Sequence, residues 1–128
     1  MYDAHRSAAG AYKSQEILNA PRERVVGYML QGLESFLMQA KVAMEQGNIP
    51  VAGEKIGRAQ AIVWELLGAL NMEEGGEVAQ NLSRIYKYMI DQLVEANLKK
   101  DPAPVDDVLR VLSEIKAGWN ELLTQRKS

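Results

Sequence analysis

The chain contains no cysteine and one histidine, His5. Without cysteine there is no disulfide, no thiolate metal site and no cysteine nucleophile. That absence also fits a cytosolic protein. With one histidine near the N-terminus, there is no Glu-x-x-His pair of the kind that builds a di-iron site in a helical bundle. Nor is there an imidazole set to activate a serine, or a Gly-x-Ser-x-Gly turn to present one. Phosphate-cradling glycine motifs are missing as well. Gly75-Gly76 precedes a helical pattern, but Glu73 and Glu74 stand beside it and repel an anion, so a turn is expected there. No apolar run approaches the ~20 residues that span a bilayer. The opening MYDAHRSAAG lacks the apolar core of a signal peptide. Fifteen Lys and Arg against seventeen Asp and Glu leave a net charge of −2, with no basic footprint for nucleic acid or an anionic membrane. The expectation is a cytoplasmic protein that is not an enzyme, needs no cofactor or metal, and neither binds nucleic acid nor inserts into a membrane.

What is present is helical periodicity. In Gly75–Pro102, apolar residues recur as Val78, Leu82, Ile85/Tyr86, Met89, Leu93 and Ala96, a three-four spacing that lines one helix face. Lys99 and Lys100 suit the negative end of the helix dipole, and Pro102 forbids continuation. A helix apolar along one side needs partners. Upstream, Pro21 opens a helix whose seam reads Val26, Met29, Leu33, Phe36, Ala40 and Ala43, ending at the Gly47-Asn48-Ile49-Pro50 turn. The next seam is Ala52, Ile56, Ala59, Val63, Leu66 and Leu70. Gly53 and Gly57, four residues apart on this helix, are read as a place for close helix packing. The last seam is Val105, Val108, Leu112, Ile115, Trp119 and Leu122, with Asp101 as the expected cap. No strand alternation, internal repeat or low-complexity tract is seen. The fold class is therefore all-α: an antiparallel up-down four-helix bundle over 21–128, with helices at about 21–46, 50–70, 76–100 and 103–126, preceded by a short N-terminal arm at 1–20.

Four seams do not use all the apolar residues. Tyr28, Leu30, Leu37 and Met44 flank the first seam, Ile62, Trp64 and Leu67 the second, Tyr88, Ile90 and Val94 the third, and Leu109 and Leu123 the fourth. A wide core absorbs part of this excess. The remainder would form a surface groove, to which six methionines and five tyrosines are suited. An amphipathic segment of another chain fits such a groove.

The run GGEVAQNLSRIYKYMIDQLVEANLKKDP, followed by VDDVLRVLSEIKAGW, closely resembles the FliS flagellar secretion chaperones. AYKSQEILNAP, GYMLQGLESFLMQAKVAMEQGNI and GEKIGRAQAIVWELLGALNMEEGG fit the same family in order and spacing, from about Tyr12 to Leu122. Two departures stand out: Ala20 where the family often has Ser, and Met29-Leu30-Gln31-Gly32 where it commonly has Leu-Tyr-Asp-Gly. The resemblance implies a cytosolic helical bundle that binds the disordered C-terminal region of flagellin, prevents premature polymerisation and keeps it competent for export. It also implies an N-terminal segment that competes with this client; here that arm carries Tyr12, Ile17 and Leu18. From the surplus apolarity, the expected groove residues are Tyr28, Leu30, Trp64, Leu67, Tyr86, Met89 and Trp119. The chain is expected as a monomer or weak homodimer. Two alternatives are an adaptor docking on the export gate or another flagellar regulator, and a plain bundle that self-associates through the groove.

Overall fold

The computed structural model describes residues 20–127, with side chains from 24 to 121. It holds four helices: α1 (Ala20–Glu45), α2 (Ile49–Gly68), α3 (Met72–Lys99) and α4 (Ala103–Lys127). The arm residues Tyr12, Ile17 and Leu18 lie outside the described residues.

Local chemistry sets the turns. Gly47 takes φ 75°, which releases the chain from α1 without steric cost. The Asn48 side chain then accepts from the Val51 N–H and caps α2, with Pro50 in its first turn. Asn71 caps α3 by accepting from the Glu74 N–H at 2.9 Å. The turn expected through Gly76 is therefore shorter, because Asn71 starts a helical turn at once. That turn is broken at Gly76 (φ 53°, ψ −128°), beyond which α3 runs on. At its far end Lys100 turns left-handed (φ 54°, ψ 43°), and the Asp101 carboxylate accepts from the Ala103 N–H at 3.0 Å as α4 begins.

Short connections make consecutive helices antiparallel, and neighbours pack in the cyclic order α1–α2–α3–α4–α1. On α1, Gly32 faces Ile62 of α2, while Gly27 faces the Trp119 indole of α4. Gln92 of α3 donates to Asp107 of α4 at 3.2 Å. Two ion pairs join α1 to α4: Lys41–Asp106 at 2.8 Å and Lys116–Glu34 at 2.5 Å. In the first, the hydrogen bond to Asp106 and its negative charge together raise the Lys41 pKa above its ordinary value.

Buried positions follow a regular rhythm. Along α1 the seam is Val26, Leu30, Leu33, Leu37, Ala40 and Met44, with Ala43 buried beside it; along α2, Ala52, Ile56, Ala59, Val63, Leu66 and Leu70; along α3, Ala79, Leu82, Tyr86, Met89, Leu93 and Ala96, with Ile90 buried beside it. Alternating steps of four and three are the heptad of interlocking helices. On α1 the expected seam holds at Val26, Leu33, Ala40 and Ala43, but Leu30 and Leu37 are core where the sequence suggests Met29 and Phe36, and those two are only half-buried against it. Both choices fit the wide apolar stripe. The position of α2 decides between them, since it leaves Phe36 at the edge under the Lys55 and Arg58 cations, each 5.7 Å from the ring centre.

Candidate partner-binding surface

Large apolar side chains left on the outside are the candidates for contact with another chain. Trp64 is 57% exposed and Tyr28 is 65% exposed. Leu67 is half-buried against the core. On α2, Gly53 turns toward α3, where an added Cβ would lie 3.7 Å from the Asn97 Oδ1. Residues 53, 60 and 67 repeat at seven, so Leu67 shares that flank, and Trp64 lies on it one turn earlier. Val94, exposed, sits three residues before Asn97 on α3. Trp64, Leu67 and Val94 thus line the α2–α3 flank. Tyr28 belongs to α1 and is not part of that flank, because α2 meets α1 with its opposite side, through Ile62, Lys55 and Arg58.

Four residues expected in the groove are elsewhere. Leu30 and Trp119 keep 2% of their surface, and Tyr86 and Met89 keep none. All four fall on the heptad seams and are packed inside the bundle, so they offer no surface to a partner. The physical reason is helical phase. Tyr and Trp carry a polar atom that favours an interface in the abstract, but a seam position buries whatever stands there. Removal from water pushes the Tyr86 phenol pKa well up.

The structure also shows surface that the sequence reading missed. Between the second half of α1 and the start of α2 lies an open trough of about 390 Å³, with Met38, Val42, Ala43 and Val51 as its apolar lining and Lys55 at its edge. Leu98 near the end of α3 is the most exposed large apolar side chain among the described residues, at 72%. Met38 and Val42 stand four apart off the seam, as do Val94 and Leu98. That spacing is a readable signal, since solvent alone has no reason to favour apolar residues one turn apart. Gly57, expected to help a helix approach, has nothing within 4 Å of where a Cβ would stand.

Among the described residues no cluster of three or more His, Asp or Glu is arranged to hold a metal ion. No described helix is long and apolar enough to cross a membrane. What the outside offers is apolar area broken into patches by ordinary surface charge, which suits the capture of an amphipathic chain.

Comparison with known proteins gives the chain a family. The profile of the family described as "Flagellar protein FliS" matches residues 5–126. The flagellar secretion chaperone FliS of Vibrio cholerae serotype O1 is 39% identical over 121 residues, covering 91% of this chain and 89% of the relative. The flagellar secretion chaperone FliSB of Pseudomonas aeruginosa is 43% identical over 105 residues, covering 82% and 83%. The FliS of Salmonella typhimurium is 35% identical over 125 residues, covering 95% and 93%. With a four-helix bundle matched along nearly its whole length, this chain belongs to the FliS family of flagellar secretion chaperones.

Proposed function

We propose that the protein is a cytoplasmic export chaperone that holds the C-terminal region of flagellin, without catalysis, in a form that neither polymerises nor folds. The observation that carries this reading is the exposed Trp64, with half-buried Leu67 one turn on, along the α3-facing flank of α2 in a bundle of this family. A soluble helix gains nothing from a Trp held 57% in water. A disordered client gains a flat aromatic anchor there, at little entropic cost to the rigid bundle. Client segments with apolar residues at i, i+3 and i+4 would lie along the flank. Covering those residues blocks the contacts by which client chains join one another, and a chain held open remains narrow enough for export. Ordering the client offsets much of the gain, so affinity per unit of buried area is modest. Tyr28 on α1 extends the apolar surface for a client that wraps around the bundle. The arm at 1–20, with Tyr12, Ile17 and Leu18, is assigned to the same surface as a competitor of the client, and the bundle to 21–128.

The test is light scattering of the purified protein with a peptide of the flagellin C-terminal region. One peptide taken up per chain, with flagellin kept monomeric under polymerising conditions, supports the reading. A bundle that ignores the peptide while flagellin polymerises at its usual rate contradicts it.

A further inference from the structure

We infer that the trough between α1 and the start of α2 is a second docking site, for an acidic amphipathic helix of another protein. It opens on the α1 side of α2, whereas Trp64 and Leu67 stand on the α3 side, so both surfaces can be occupied at once. The inference holds whatever the α2–α3 flank binds. Met38 and Val42 stand one turn apart on α1, and Val51 lines the same trough from the first turn of α2. All three are exposed. A helix with apolar residues at i and i+4 has the spacing to meet such a pair.

Charge selects the partner. Lys55 is the sole ionisable residue in the lining, and the other polar groups there are amides. Its ammonium lies 5.7 Å from the centre of the Phe36 ring, which keeps the cation at the edge of the trough. Lys55 makes no ion pair with a described residue, whereas Arg58, one turn along, leans on Glu54 at 3.7 Å. A carboxylate on the incoming chain gives Lys55 an opposite charge, and a basic chain is repelled. The shape of the trough selects a helix. Its walls are helical and offer no strand edge to extend, so the incoming chain must satisfy its own backbone groups. The trough is also open along its length, whereas a small-molecule site encloses most of its ligand. A helix can lay one apolar face in it and keep the other face in water.

The experiment is fluorescence anisotropy of the full chain with two labelled synthetic helices. Both carry Leu at i and i+4; one has Glu along its flanks, and the other has Lys in place of every Glu. The Glu helix should bind about tenfold or more tighter than the Lys helix. Lys55→Glu should cancel that preference, weakening the first probe and strengthening the second. Val42→Asp should weaken the Glu helix about tenfold or more while circular dichroism shows the fold unchanged. Saturating flagellin C-terminal peptide should leave the Glu helix bound. Equal affinity for the two probes overturns the inference. So does binding that Val42→Asp leaves intact, or displacement of the Glu helix by the flagellin peptide. Displacement by a peptide of residues 1–19 or by decanoate overturns it too, because the trough then belongs to the arm or to a small anionic amphiphile. Flagellin-peptide binding to the parent chain is measured separately, so a failed second site and a failed chaperone reading are told apart.

Discussion

Tyr86 shows how a single position ties burial to solution behaviour. Its phenol has no exposed surface, and burial raises its pKa above the ordinary value near 10. The proton is therefore held more tightly in the folded chain than in the unfolded one. Stability from this residue is fully present below the unfolded pKa and falls as pH climbs above it, at about 1.4 kcal/mol per pH unit until the folded pKa is reached. Lys41, raised by its hydrogen bond to Asp106, acts in the same direction and the same alkaline window. Urea melts at neutral pH and through pH 10–12 should show a steep alkaline loss, and Tyr86→Phe should remove most of its slope. Tyr86 also marks what was legible at this scale. Its place in the seam could be read from the spacing, yet surplus apolarity also assigned it to the surface groove. The spacing decides, and Met89 and Trp119 follow the same rule. Leu30 was harder, since Met29 and Leu30 both fit a wide stripe and only the position of α2 separates them.

At the scale of elements, the ends of the helices carry more strain than their middles. Lys100 holds φ 54°, a conformation that costs an L-residue about 1–2 kcal/mol relative to glycine. Lys100→Gly should therefore stabilise the protein by roughly 1 kcal/mol in chemical denaturation, with no change in helical content. A neutral or destabilising result would mean that the Lys100 side chain contributes as much as the backbone relief. The helices themselves were legible because four heptad seams are written in the order of apolar residues, with Gly47, Asn48 and Pro102 as punctuation. The start of α3 was read less well. Asn71 and Glu74 have the spacing of a capping pair, but the Gly75-Gly76 doublet reads as a turn. In the folded chain both signals act: the cap opens the helix at Met72, and Gly76 alone breaks it.

For the whole molecule, the bundle and the family were readable in the sequence, whereas the map of the surface was not. Exposure depends on which flank of a helix meets its neighbour. That is fixed by contacts such as Gly32 with Ile62 and Gly53 with Asn97, which join residues far apart in the chain. Trp64 and Leu67 remain on the outside, four other expected groove residues turn inward, and Met38, Val42 and Leu98 emerge. The central claim is that the fold and the client surface are made by different residues. The most direct measurement compares Trp64→Ala with Leu30→Ala, by calorimetric titration with the flagellin C-terminal peptide and by denaturant melts. Trp64→Ala should lose about tenfold or more in affinity while staying within about 1 kcal/mol of the parent in stability. Leu30→Ala should lose about 2–5 kcal/mol of stability and, while folded, keep its affinity. Unchanged affinity in Trp64→Ala, or a loss confined to Leu30→Ala, would contradict the claim.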